Sequence, residues 1–157
     1  MKEPKDIVKM PVIVSQYVRM WPRAVFNDKI RGPKGKYVNV ASTLEILLRP
    51  GVYILYRDDR PYYIGQATRL NGRLYSHARR PGSKYDLFWN YFSAFVVEDP
   101  KHRAEVEAML IAAIPTANGA EPRLENYHYP DAVRRVMKFT REGRIIKGKP
   151  TTDDPEQ

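Results

Sequence analysis

Two tyrosines ten positions apart stand in short β-branched and aromatic runs, Gly51-Val52-Tyr53 and Tyr63-Ile64-Gly65. Side chains alternate along a strand, so on adjacent strands both hydroxyls can converge on one side of a hairpin. A phenol, with a pKa near 10, is a base only where a metal ion or cationic neighbours favour the phenolate. Cations are close in sequence. Arg73 and His77 lie at i and i+4, hence on one helix face, with Arg69 and Arg80 near it. A guanidinium offers a planar fork to a phosphate and keeps its charge, and an imidazole can donate to the same phosphate or assist proton transfer. Glu107 is the most telling residue. In a helix it shares a stripe with Ala104, Ile111 and Ile114, which places a carboxylate on an apolar face. An unpaired buried carboxylate is costly, and a hard divalent cation is a natural partner; Mg²⁺ often takes one or two carboxylates and keeps several waters. Water activation beside a phosphate is the chemistry such a set can do.

Each residue also has a blander reading. Strand tyrosines pack cores, a basic helix is a solvated face, and Glu107 can reach past its stripe to an arginine. Glu105 points to another face and is the reserve candidate.

The elements that must position these groups follow from pattern. Gly51–Arg57 and Arg60–Gly65, separated by Asp58 and Asp59, predict a β-hairpin. From Thr68 to Arg80 the spacing of Leu70, Leu74 and Ala78 predicts a helix, ended by Pro81-Gly82-Ser83. Asn90–Asp99 is a third strand, His102–Ile114 a helix stopped by Pro115, and Asp131–Thr140 a last helix. Ser42 and Glu45 are spaced as a capping box for a short helix, Thr43–Leu48. Residues 6–21, interrupted by Pro11, are open to strand or helix, and residues 27–41 read as a basic loop. The order hairpin, helix, strand, helix predicts an α+β fold.

Composition narrows the partner class. The 157 residues contain no cysteine, which removes disulfides, thiol nucleophiles and cysteine-ligated zinc and is compatible with a reducing compartment; a cytoplasmic location is expected. No apolar run approaches the roughly 18 residues of a membrane span, so no membrane partner is expected. The net charge is +9, of which residues 1–50 contribute +6, with ten Lys or Arg against four acids. Polyanions lead the partner list. Arg69, Arg73, Arg79, Arg80 and Lys84 are the nucleic-acid contacts expected outside that segment. Phe88, Trp89, Tyr91 and Phe92 could stack bases, although at least two should pack the core. Gly-x-Ser-x-Gly, His-Glu-x-x-His and phosphate-loop motifs do not occur, and three scattered histidines make no metal site.

GVY on one strand and YIG on its hairpin partner resemble the GIY-YIG nuclease family. Arg73 stands eight residues after Gly65, His77 four further on, Glu107 begins a Glu-x-x-Leu-Ile run, and Pro115 and Asn118 follow. The six elements occur in family order. The resemblance implies a three-stranded antiparallel sheet flanked by helices and an endonuclease using a divalent metal, Mg²⁺ or Mn²⁺, on DNA ahead of RNA. It implies the site Tyr53, Tyr63, Arg73, His77, Glu107 and Asn118, with Glu107 as metal ligand. Tyr53 is taken as water activator with Tyr63 as its partner, and Asn118 as orienting a phosphate or metal-bound water. Gln66 departs from relatives that carry Lys there. The division expected is a basic extension at 1–44, a core at 45–120, a helix and loops at 121–149 and a disordered tail at 150–157. Two rivals are a catalytically silent binding module and one subunit of a larger repair, restriction or mobile-element assembly.

Overall fold

The computed structural model describes residues 12–79, 88–118, 122–125 and 130–141. Strands β1 (Gln16–Pro22), β2 (Lys29–Arg31), β3 (Tyr37–Asn39), β4 (Gly51–Arg57) and β5 (Arg60–Ala67) precede helix α1 (Leu70–Arg79). Strand β6 (Tyr91–Val96), helix α2 (Pro100–Ala113) and helix α3 (Asp131–Arg141) follow. The fold is α+β. The chain divides into two units between Leu124 and Glu125. In the second, α3 starts after Pro130, with Arg134 beside the Asp131 carboxylate at 3.9 Å. Among the described residues no helix is long and apolar enough to cross a membrane.

The main sheet has the order β1-β6-β4-β5 and is antiparallel throughout. Three strands were expected. The fourth, β1, comes from the segment whose pattern allowed strand or helix. It alternates as a strand does, with Val18 buried and Tyr17 exposed and stacked on Phe95. Its pairing with β6 shifts between Val18 and Trp21, where Met20 adopts φ 53° and donates its N–H to the Ser93 hydroxyl at 3.1 Å.

Strand β4 lies inside the sheet and is buried from Gly51 to Leu55, hence its unbroken apolar run. Val52, Ile54 and Ile64 face α2 with Val106, Leu110 and Ile111. Tyr53, Leu55 and Phe92 face the other way, onto Leu70, Leu74 and Ala78 of α1 and onto Phe26, Leu47 and Trp89. Burying each leucine stabilises the docking of α1 by about 1.5–3 kcal/mol. The β4–β5 turn places Asp58 at φ 55°. Asn90 holds it there, accepting from the Asp58 N–H at 2.7 Å and donating to its carboxylate at 2.8 Å.

Two local readings need correction. The helix expected at Thr43–Leu48 is a pair of 3₁₀ turns, Val40–Thr43 and Glu45–Leu48, with Leu44 extended between them. The Ser42 hydroxyl donates to the Asn39 carbonyl at 2.6 Å, so no capping box forms. Burial of Ala41 and Leu47 in one core decides the path. The basic loop at 27–41 contains a small hairpin, β2–β3, reversed at Gly35 with φ 72°.

Helix α2 is capped by Asp99, whose carboxylate accepts from the N–H groups of Lys101 at 2.8 Å and His102 at 3.0 Å. The backbone donor of His102 is the largest cause holding the Asp99 pKa below its usual value. A lowered folded pKa stabilises the fold above the ordinary Asp value of about 3.9, and the gain is lost as pH falls through the folded value. Asp99→Ala should therefore lower the melting temperature at neutral pH, and the deficit should shrink in acid. Asp99→Asn, which keeps an acceptor, should recover most of the neutral-pH loss. Circular-dichroism melts at both pH values check this.

Candidate active site

Strand β5 is an edge of the sheet, so groups on its two faces can meet around its side without an intervening strand. Tyr63 projects toward the α1 face, and Gln66 toward α2. Tyr53 pairs with Gly65 across β4 and β5, and its ring lies over the bare glycine backbone. A Cβ there would fall 2.6 Å from Cζ of Tyr53 and 2.9 Å from Cε1 of Tyr63. The final glycine of the second motif is therefore a packing requirement of the two phenols.

Tyr53, Tyr63 and His77 form one aromatic cluster, with ring centroids 5.6–6.2 Å apart. The Tyr53 hydroxyl and His77 Nε2 share a buried hydrogen bond of 2.8 Å. Tyr53 is 0% exposed and His77 6%. Burial, the dominant cause, pushes the Tyr53 phenol far above its ordinary pKa; Tyr63 and Glu107 add to the rise, and Arg73 opposes it. Conversely, hydrogen bonding to Tyr53, ahead of the charge interaction, raises the pKa of Arg73, and Tyr63 contributes in the same direction. The exposed Arg73 guanidinium thus faces both phenols. Tyr53 is enclosed, whereas Tyr63 beside it is half-buried. His77 is buried against Tyr53 rather than turned to the surface.

Around the strand edge lies a hollow of about 210 Å³, lined by Tyr63, Gln66, Glu107, Ile111, Asn118 and Arg123 among others. Glu107 stands in it from α2, and Gln66 Nε2 donates to its Oε2 at 2.5 Å. The carboxylate is not left unpaired on its stripe. Gln66, expected only as a missing cation, orients it. Asn118 lies against the edge strand. Its Oδ1 accepts from the Ile64 N–H at 2.8 Å and its Nδ2 donates to the Ile64 carbonyl at 2.7 Å. Ala117 N–H donates to the Tyr62 carbonyl at 2.8 Å, so residues 117–118 seal the open edge of β5 like a fragment of strand. Both ends of the Asn118 amide are thus engaged by the backbone next to Tyr63.

Residues 49–114 match the model of the GIY-YIG catalytic domain. The chain is also 32% identical to the magnesium-bound GIY-YIG N-terminal endonuclease domain of UvrC from Thermotoga maritima. That alignment covers 43% of this chain and 83% of that one, with a TM-score of 0.38. A point mutant of the same domain, bound to its catalytic divalent cation, is 31% identical over 43% and 82% of the two chains, also at 0.38. The chain belongs to the GIY-YIG family. No curated protein matches it.

Both GIY-YIG tyrosine motifs, Arg73 and Glu107 lie inside the matched segment; Asn118 follows it. Among the described residues no three His, Asp or Glu side chains gather as a metal cage. One amide-oriented carboxylate in a small hollow suits a cation that keeps most of its water, as Mg²⁺ does. Arg69 and Arg73 line one shallow depression with Gln66, Thr68 and Ser76. Arg79 is turned elsewhere, with its guanidinium 5.5 Å over the Tyr75 ring and bonded to the Tyr75 hydroxyl and Asn27. Arg80, Lys84 and the tail after residue 150 lie outside the described residues. Trp89 and Phe92 are core residues, whereas Tyr91 and Phe88 are exposed, the latter 4.6 Å from the Tyr62 ring. Gln66 and the strand-sealing action of Asn118 escaped sequence reasoning, since nothing in the pattern reveals a contact 41 or 54 residues away.

Two glycines make opposite predictions. Gly65→Ala should cost about 1–3 kcal/mol, the range for overpacking, and displace Tyr53. Gly72→Ala, at an exposed position of α1 where a Cβ meets nothing within 4 Å, should leave stability unchanged or raise it by up to about 1 kcal/mol. Urea unfolding of both variants measures the difference.

Proposed function

We propose that the chain is a metal-dependent endonuclease that hydrolyses phosphodiester bonds in DNA. The observation that carries this reading is the meeting of Glu107, Gln66 and Tyr63 around the β5 edge, beside the exposed Arg73. In this scheme water attacks phosphorus, Tyr63 accepts its proton, and the bond to the leaving oxygen breaks. Arg73, exposed beside the phenol, offsets charge on the phosphoryl oxygens during attack. Tyr53 and His77 hold the Tyr63 ring in place from the core. Glu107 would hold the cation, which when bound supplies positive charge at the phosphate and promotes water ionisation. The related UvrC domain, bound to magnesium, supports this choice of ion. A binding module without catalysis would have no use for a carboxylate oriented in a hollow.

Plasmid nicking in Mg²⁺, Mn²⁺ and EDTA tests the proposal. The full chain should cut with either metal and not in EDTA. Glu107→Ala should abolish cutting while DNA binding persists. Tyr63→Phe and Arg73→Ala should each slow cutting by at least about 10²-fold, the scale of general-base and charge-stabilising contributions. Tyr53→Phe should cost less than Tyr63→Phe, with an accompanying loss of stability. Unimpaired cutting by Glu107→Ala would remove the metal assignment, and absence of cutting by the parent chain under all conditions would favour the silent module.

A further inference from the structure

The β2–β3 hairpin lies outside the matched catalytic segment and takes no part in the site above. Its pairs are Lys29↔Asn39, Ile30↔Val38 and Arg31↔Tyr37, so Lys29, Arg31, Tyr37 and Asn39 share one face. Lys34 and Lys36 occupy the exposed turn. No acidic residue occurs from Lys29 to Ala41, and no described carboxylate forms an ion pair with any of these four cations. Every residue of β2 is exposed, and Tyr37 is 72% exposed. The base of the hairpin is nevertheless firm. Phe26 before it and Ala41 after it are buried in the core, Val40 N–H bonds the Asp28 carbonyl at 2.9 Å, and Gly32 N–H bonds the Lys36 carbonyl at 2.8 Å. A rooted ribbon with four unpaired cations and an uncovered tyrosine is a preorganised polyanion contact.

We propose that this ribbon enters the major groove of duplex DNA and carries much of the chain's affinity. The proposal rests on the nuclease reading and names the substrate form: B-form duplex. Two strands spaced about 4.8 Å apart fit a groove about 12 Å wide, which is known to admit a two-stranded ribbon. The major groove of A-form RNA is too narrow and deep for side chains to read. Lys29, Arg31, Lys34 and Lys36 reach phosphates on either wall, while Tyr37 meets base edges. Phosphate contacts dominate, so binding is salt-dependent and only weakly selective for sequence.

The test compares the full chain with K29S/R31S/K34S/K36S, both verified as folded by thermal melt. Affinity for a short DNA duplex and for its single strand is measured in EDTA between about 50 and 200 mM salt. Each phosphate contact contributes about −0.9 to the slope of log K against log salt. Loss of four contacts should flatten the duplex slope by about 3–4 units and weaken binding at least ~10-fold at physiological salt. The single strand should be affected less. K29R/K34R/K36R, with its charge preserved, should bind as the parent does. An unchanged duplex slope in the serine variant would overturn the proposal, as would equal losses on duplex and single strand. If the parent chain binds duplex normally but never cuts it, the nuclease reading fails while the ribbon's role is still decided by the slopes.

Discussion

A phenol ring packed over a bare glycine backbone sets the geometry of this protein. Tyr53 is wholly buried, and the space for its ring exists because Gly65 has no side chain. The contact ties β4 to β5 in one register, Tyr53 opposite Gly65, and a slip of one residue would turn every side chain of β5 to the other face. In the native register Tyr63 lies beside Tyr53 and His77, while Gln66 points at α2. The arrangement of the candidate site follows from that register.

The edge position of β5 explains the rest. An interior strand would separate Tyr63 from Glu107, whereas an edge lets them border one hollow. An exposed edge is also a hazard, because its unpaired backbone groups invite other strands. Asn118 removes part of that hazard by bonding both backbone groups of Ile64, next to Tyr63. Burial then separates the two phenols. Burial makes Tyr53 a structural acid that stays protonated, and Arg73 reaches the surface beside its half-buried neighbour.

The catalytic core was legible in the sequence because its signals are local. Strand runs, the Asp58-Asp59 turn, the four-residue spacing of Leu70, Leu74 and Ala78, and the Glu107 stripe each lie within one element. What could not be read depends on distant partners. β1 is a strand because β6 accepts it along the opposite edge, and no period in residues 6–21 shows that. The Ser42 and Glu45 spacing suggested a cap, but core burial of Ala41 and Leu47 bends the chain into two short turns. The order of the tyrosines likewise depends on burial. Both motifs look equivalent in sequence, and only packing makes Tyr53 the enclosed one.

Glu107 is the residue proposed to hold the cation at the β5 edge, beside Tyr63. Anomalous scattering from crystals soaked in Mn²⁺ tests it most directly, because it locates the ion without relying on activity. One principal peak should lie against the Glu107 carboxylate, in the hollow that Tyr63 borders, and should be lost in Glu107→Ala. A principal peak at another carboxylate, or a peak that survives removal of Glu107, would contradict it.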